Sequence, residues 1–497
     1  MTPRSRVARA TMFLLLLLGV TLRLRPYFAN RSLWLDEAGL ALNIIDRDFA
    51  GLLGPLAHKQ AAPPGFLWAQ RLMIQLFGTS EYALRAVPVV AALVALFVFW
   101  RLASGLLSVR GALLACAMFS ISPFLIYFAV EAKQYSVDVA IAVMLWWAMV
   151  ALKPRLDREA LLAWALILAL GAAAIWVSHP AIFIVGGFAF EAVIRALRRP
   201  RWRPLALRAT VGVLWLGSFG ALYLLALRFT PAEMYTAWQG RGAPLSPSSF
   251  GVVNKYAETV WTLSTLPLGT QVAQLVTLAA MLGVVALWGL AFRPLVWFAS
   301  ALALGWMASS LGHYPVATRL WLFFTPPMVL LTAAGIDEVW RRTRDAFPGL
   351  GPIFVCLILL FPAFTTAREA VHSRQSDEIR PLLSFVLEHY RDGDVLYINE
   401  LGQFAMQYYA ARGLKFPGRI FVGTGTTTAE TDAAQLRGHA RVWVLFSHAD
   451  VSNGINEEQF FVRMLDRVGA RVEQRQETGA SVYLYNLSDV ARPARLS

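Results

Sequence analysis

Apolar runs long enough to cross a bilayer, about 20 residues at the rise of an α-helix, recur along the first three quarters of the chain. They fall near 9–27, 83–103, 111–127, 136–152, 160–178, 180–197, 208–228, 270–291, 295–312, 319–337 and 351–367, which predicts eleven spanning helices. Between the first two runs, the polar stretch 28–82 carries a weaker apolar segment at 65–77. Its spacing predicts an amphipathic helix lying in the membrane interface. Beyond 368 long apolar runs vanish and charges become frequent. There 379–390, 404–411 and 457–468 have helical periodicity, while 394–398, 441–446 and 481–485 read as strands. The expected architecture is an all-α polytopic membrane domain over 1–367 followed by a small soluble α/β domain over 368–497.

Composition agrees with this pattern. Of 497 residues 57% are hydrophobic and 15% charged, with a mean hydropathy of +0.53, whereas soluble chains carry about 25% charged residues. The net charge of +14 raises the question of nucleic acid, but no basic stripe is interleaved with aromatics, so no nucleic-acid partner is expected. Cys116 and Cys356 lie inside predicted spans, which predicts small core residues and no disulfide framework. No small-x-small cleavage pattern precedes Asp36, so the first run is expected to remain as an uncleaved span. The Gly/Thr-rich loop beginning at Gly423 lacks the spacing of a nucleotide fingerprint and reads as a surface loop.

The basic residues act instead as topology signals. With the N-terminus in the cytoplasm, the inward connections hold Arg101 and Arg110, then Lys153, Arg155 and Arg158, then Arg195, Arg198, Arg199, Arg201 and Arg203. Arg293, and then Arg341, Arg342 and Arg344, continue the series. The outward segments become 28–82, 128–135, 178–180, 229–269, 313–318 and the tail. The reading is a multi-pass protein of the plasma (inner) membrane whose C-terminal domain is extracytoplasmic.

Unexpected polar residues gather on that outward side. Asp36 and Glu37 follow the first span, where they either cap a helix or do chemistry. Glu131-Ala-Lys133-Gln134-Tyr135 follows the third span; on a helix Glu131 and Tyr135 share a face, and the plainer reading is an interfacial belt. His58-Lys59-Gln60 precedes Pro63-Pro64 and reads as an anion contact or a simple turn. His179 sits in a tight outward turn, and Arg319 opens a span from the outside, against the charge rule. Arg23 and Arg25 end the first span on the same side and invite anion binding or snorkelling. Two carboxylate sites and several cations on one face suit transfer from a lipid-phosphate donor. A carboxylate takes the acceptor's proton, and cations stabilise the departing phosphate.

These residues resemble a known family. Leu33-Trp34-Leu35-Asp36-Glu37-Ala38, Pro63-Pro64-Gly65-Phe66-Leu67, the stretch 76–85, and Ser122-Pro123 through Glu131-Ala132-Lys133 to Ser136 are similar to bacterial members of glycosyltransferase family 39. Related enzymes of the GT-C fold include protein O-mannosyltransferases and the aminoarabinose transferases of lipid A. Thr318-Arg319, Pro326-Pro327 and Ala333-Ala334-Gly335 resemble a late span of the same enzymes. The resemblance implies that Asp36 is the catalytic base and that Glu131 belongs to the same site. Two departures stand out: Lys133 where Arg is usual, which loses bidentate phosphate geometry, and Leu320 where Tyr follows the arginine.

The expected protein is a membrane glycosyltransferase that moves a sugar from a polyprenyl-phosphate carrier to a lipid, glycan or protein acceptor, with inversion. Asp36 is the expected base, and Glu37 and Glu131 are expected to orient base or acceptor. Lys59, Lys133 and Arg319 are expected to hold the phosphate, with Tyr135 and His179 lining the site. No cofactor is expected and no metal is assigned, although a divalent ion suits converging carboxylates and histidines. The rival reading is a transporter or flippase of lipid-linked sugars, against which stand the interfacial placement of the charges and the absence of repeats.

Overall fold

The computed structural model describes residues 3–152, 158–198, 202–230, 250–289, 291–371, 377–425, 428–449, 451–452 and 455–488. Lys153, Arg155, Arg199 and Arg201 of the expected inward connections, residues 231–249 of the outward loop, and Thr426 and Thr427 of the Gly/Thr-rich loop lie outside the described residues.

The helices are α1 (Pro3–Ala29), α2 (Leu35–Asp46), α3 (Pro64–Phe77), α4 (Glu81–Leu106), α5 (Val109–Ile121), α6 (Pro123–Tyr127) and α7 (Tyr135–Leu152). Then follow α8 (Arg158–Val177), α9 (Ala181–Arg198), α10 (Trp202–Leu225), α11 (Phe250–Thr265), α12 (Ala273–Trp288), α13 (Phe292–Ser310), α14 (Thr325–Thr343) and α15 (Leu350–Val371). Every one of the eleven apolar windows is helical. Among the described residues, six helices are long and apolar enough to cross a membrane alone, or seven if the bent pair Val109–Ile121 and Pro123–Val130 counts as one. The number of crossings expected from the sequence is therefore not reached by length and apolarity alone. The helix expected at 65–77 is present as α3, entered through Pro63 and Pro64, where a proline at the first helical position costs no hydrogen bond.

The chain divides into two compact units, and the polar stretch 28–82 is split between them. One unit holds Met1–Ala29, Arg47–Gly78 and Tyr82–Ser373; the other holds Asn30–Asp46, Thr79–Glu81 and Arg374–Ser497. A boundary drawn by composition at 367/368 differs from this division. It falls inside α15, and it omits 30–46 and 79–81, which are distant in sequence from the tail they pack with.

In the first unit, helices approach closely where side chains are absent. A Cβ on Gly283 of α12 would lie 1.8 Å from the Leu331 carbonyl oxygen, and one on Gly335 of α14 would lie 1.8 Å from that of Ala279. Ala279 and Gly283, like Leu331 and Gly335, are four residues apart, so small residues on one helical face let the two backbones nest. Cys116 is buried as expected, but Cys356 is exposed on α15, a correction to its reading as a core residue.

The second unit is the α/β body expected in the tail. Its remaining elements are α16 (Ile379–Glu388), β1 (Val395–Ile398), α17 (Gln403–Ala410), β2 (Arg419–Val422), α18 (Ala429–Leu436) and β3 (Val442–Ser447). After these come a short hairpin β4 (Val451–Ser452) and β5 (Ile455–Asn456), α19 (Glu457–Val468), β6 (Ala470–Glu477) and β7 (Ala480–Asn486). The sheet order is β2-β1-β3-β7-β6, parallel among β2, β1 and β3 and antiparallel thereafter. The central strands β1 and β3 are buried throughout, and Tyr397 stacks on Phe461 of α19 with ring centroids 4.3 Å apart. Helix α2 packs in this unit against α17.

Because backbone meets backbone at Gly335, Gly335→Ala should lower the thermal midpoint in detergent, by the 1–3 kcal/mol or so typical of overpacking. Nothing lies within 4 Å of a Cβ at Gly217 on α10, so Gly217→Ala should be neutral or raise the midpoint through helix propensity. Equal midpoints for the two variants would contradict the nesting.

Candidate active site

In the first unit the site is built around a broken helix. Pro123 has no N–H, so the carbonyl of Phe119 four residues earlier loses its helical donor. Arg23, buried on α1, fills the gap: its guanidinium donates to the carbonyls of Phe119 (2.9 Å), Ser120 (3.3 Å) and Gly19 (3.0 Å). Thr366 Oγ1 donates to the Ile121 carbonyl at 2.8 Å. Arg23 is thus a substitute helix cap, which corrects its reading as an anion-binding or snorkelling residue. The helix axis turns by 51° at this break.

The chain then delivers a fully buried polar stretch, Glu131–Asp138. Glu131 has extended backbone (φ −87°, ψ 135°), and α7 begins only at Tyr135. The expectation that Glu131 and Tyr135 share a helical face is therefore corrected: a turn separates them, with Lys133 N–H donating to the Glu131 carbonyl at 2.7 Å. The Lys133 ammonium donates to Gln60 Oε1, and Gln60 in turn donates to the His58 carbonyl at 3.1 Å. Ser136 Oγ donates to the Phe128 carbonyl at 2.6 Å, and the ring of Tyr135 meets Phe128 edge-on. His58 and Lys59 both have left-handed backbone, φ 61° and 52°. Lys59 is exposed, and it is its neighbour Gln60 that meets Lys133.

Gln60 and His179 line one cleft of about 400 Å³, together with Pro64, Leu67, Leu227 and Thr230. His179 keeps part of its surface exposed, but Nε2 is enclosed with no hydrogen-bond partner among the described residues. Burial pushes its pKa down to about 4, so the imidazole is neutral near pH 7. Tyr314 lies partly buried beyond α13, and its hydroxyl donates to the Leu320 carbonyl. Burial raises its pKa, and the proximity of Asp138 and Tyr135 raises it further. Arg319 is partly buried in the same turn.

Asp36 and Glu37 lie in the second unit, in the first turn of α2. Glu37 is completely buried, and its Oε2 accepts from the Trp34 N–H at 3.4 Å, the back-reaching half of a capping box. Asp36 is partly exposed. Glu81 is the charged centre of this unit. It accepts from Arg380 Nη1 at 2.8 Å, from Arg412 and, at 3.1 Å, from Tyr409 Oη. Burial opposes the charge on Arg412, but Glu81 outweighs it and holds the guanidinium pKa up. Burial, with Glu81 beside it, keeps the Tyr409 phenol protonated.

Two groups had a sequence signal that the reading passed over. Asp138 is an acid inside an apolar span, which marks function by default. Gln70 lies on the buried side of α3 with both amide atoms lacking partners among the described residues. Gln60 carried no such signal. Among the described residues no group of three or more His, Cys, Asp or Glu side chains is arranged to hold a metal.

Residues 61–226 match the family model of dolichyl-phosphate-mannose-protein mannosyltransferase. No curated protein matches the chain. Among solved structures, ArnT from Cupriavidus metallidurans bound to undecaprenyl phosphate is similar at 13% identity and a TM-score of 0.56, covering 99% of this chain and 100% of that one. The Archaeoglobus fulgidus oligosaccharyltransferase in complex with Zn and sulfate is similar at 12% identity and a TM-score of 0.55, over 98% of this chain and 74% of that one. The archaeal oligosaccharyltransferase AglB of the same organism, with an inhibitory peptide and a dolichol-phosphate, gives 11% identity and a TM-score of 0.52 over 100% and 76%. The resemblance to glycosyltransferases of the GT-C fold, first visible around Asp36 and Glu131, is borne out.

The depressed pKa of His179 makes a pH prediction. Above an unfolded pKa near 6.5 the imidazole is neutral in both states, and its burial costs nothing in protonation. Between 6.5 and about 4 only the unfolded chain takes up the proton, so stability falls as pH falls through that window. Relative to His179→Asn, the wild-type protein should lose on the order of 2–3 kcal/mol between pH 7 and pH 4. Parallel pH–stability curves for the two proteins in detergent would contradict the burial of a neutral imidazole.

Proposed function

On the premise of a chain related to GT-C glycosyltransferases, we propose an integral-membrane enzyme that transfers a sugar from a polyprenyl-phosphate donor to an acceptor on the non-cytoplasmic face. The observation that carries the reading is the buried pair Glu131 and Lys133, two residues apart beyond a helix break. Keeping a carboxylate and an ammonium out of water is costly, and intramembrane charges of this kind mark substrate pathways. The similar ArnT structure contains undecaprenyl phosphate, which suits a cationic subsite for a lipid phosphate. In this proposal eleven spans place the N-terminus in the cytoplasm and the second unit outside the plasma (inner) membrane.

The mechanism is a single inverting displacement. The carboxylate of Asp36 takes the proton from the acceptor hydroxyl as its oxygen attacks the anomeric carbon. The bond from that carbon to the carrier phosphate breaks, and the phosphate leaves with the electron pair. Lys133 and Arg319 meet the growing negative charge, with Lys59 at the entrance. Lys133 acts as a point charge, and Gln60 fixes the direction of its ammonium. Glu131 orients the acceptor. Glu37, turned onto the Trp34 N–H, sets the entry of α2 and so the direction of Asp36. Tyr135 and neutral His179 line the sugar's path. The reaction as written needs no metal; chelator-sensitive activity restored by a divalent ion would revise that.

Asp36→Asn keeps the size of the side chain and removes the base. Transfer in membranes supplied with the lipid-linked donor should fall by roughly 10²–10⁴-fold, with folded yield unchanged. Wild-type turnover by a folded Asp36→Asn protein would sink the assignment of the base.

A further inference from the structure

Four of the five residues ahead of α2, Asn30, Ser32, Leu33 and Trp34, each meet the part of the chain that follows residue 376. Asn30, in left-handed backbone at φ 46°, has its carbonyl held by Arg380 Nη2 at 2.7 Å. Ser32 gives its N–H to both oxygens of Glu378 at 3.2 Å and its hydroxyl to Glu378 Oε2 at 2.8 Å, while its Oγ accepts from the Arg380 N–H at 3.2 Å. The Leu33 N–H donates to Tyr409 Oη at 2.9 Å. The Trp34 ring lies 5.8 Å from that of His448, whose Nδ1 is 3.0 Å from Asp377 Oδ2. Glu81 joins two of these holders, accepting from both Arg380 and Tyr409.

An extended segment needs partners for its backbone groups, but water or a neighbouring strand can supply them. Here the partners are charged or buried side chains, which make shorter and stronger hydrogen bonds than neutral surface groups. They converge on the residues that lead directly into the first turn of α2, which carries Asp36. A reacting carboxylate must be held within about 0.5 Å of its productive position. We infer that Glu378, Arg380 and Tyr409, with Glu81 as their hub, are positioning residues that hold the N-terminus of α2, and thereby Asp36, in register for proton abstraction. This rests on Asp36 being the base.

The test measures steady-state transfer by full-length protein in membranes, normalised to folded protein. Tyr409→Phe removes the acceptor of the Leu33 N–H, Glu378→Ala removes that of Ser32, and Ser32→Ala is the milder probe of the same link. The expected result is a fall in kcat of about tenfold or more for Tyr409→Phe and Glu378→Ala, with the KM for the lipid-linked donor unchanged. Glu378→Gln, whose amide oxygen still accepts from Ser32, should restore most of the loss. In an Asp36→Asn background the same changes should cost nothing further. Reduced folded yield with normal turnover per folded molecule would overturn the inference and leave a structural tether. Normal turnover by all three variants while Asp36→Asn is inactive would overturn it and leave the base standing. Wild-type turnover by Asp36→Asn would remove the base, and the positioning role with it.

Discussion

The buried polar stretch of the first unit depends on one missing hydrogen bond. Within a bilayer no water stands ready to accept or donate, so a backbone carbonyl deprived of its helical partner must find another. Pro123 creates that situation at Phe119, and Arg23 answers it with a charged donor lodged between helices. The break then becomes usable. With the Phe119, Ser120 and Ile121 carbonyls satisfied, the chain turns aside and carries Glu131, Lys133 and Tyr135 in a buried turn before α7 starts. A continuous helix would have kept Glu131 and Tyr135 on one face and turned Lys133 away from them. The interruption gathers them into one short stretch.

The second unit works by a different economy. Its sheet is an ordinary α/β assembly with an apolar centre, yet the segments it takes from the stretch 28–82 are held by ionic and hydroxyl contacts around Glu81 and Glu378. Such contacts are directional where apolar packing is not, so they define the path of 30–34 residue by residue. In the first unit, by contrast, the nesting of Gly283 and Gly335 fixes distance between helices by removing side chains altogether.

Much of this was legible beforehand. Every apolar window is a helix, and the three strands read from the tail, at 394–398, 441–446 and 481–485, are the inner strands β1, β3 and β7. The two strands of this five-stranded sheet that escaped notice, β2 and β6, are its edges. β6 reads Ala-Arg-Val-Glu-Gln-Arg-Gln-Glu, and charge is what protects an edge from pairing with another chain while hiding it from a hydrophobicity pattern. Asp36, Glu131 and Lys133 stood out because charges near apolar runs are rare. Gln60 and the Glu378–Ser32 link did not, because neutral amides and pairs separated by 346 residues leave no local trace. Arg23 was conspicuous but misread: beside a bilayer an arginine suggests phosphate, and its true partners were carbonyls made available by a proline 100 positions away.

The second unit is threaded from three separate pieces of chain, with its first piece, 30–46, far ahead of the tail in order of synthesis. Ser32 is made 346 residues before Glu378. During translation the helix bearing Asp36 must therefore wait, without its packing partners, until the tail has been made. Completion of the second unit is thus tied to completion of the chain itself.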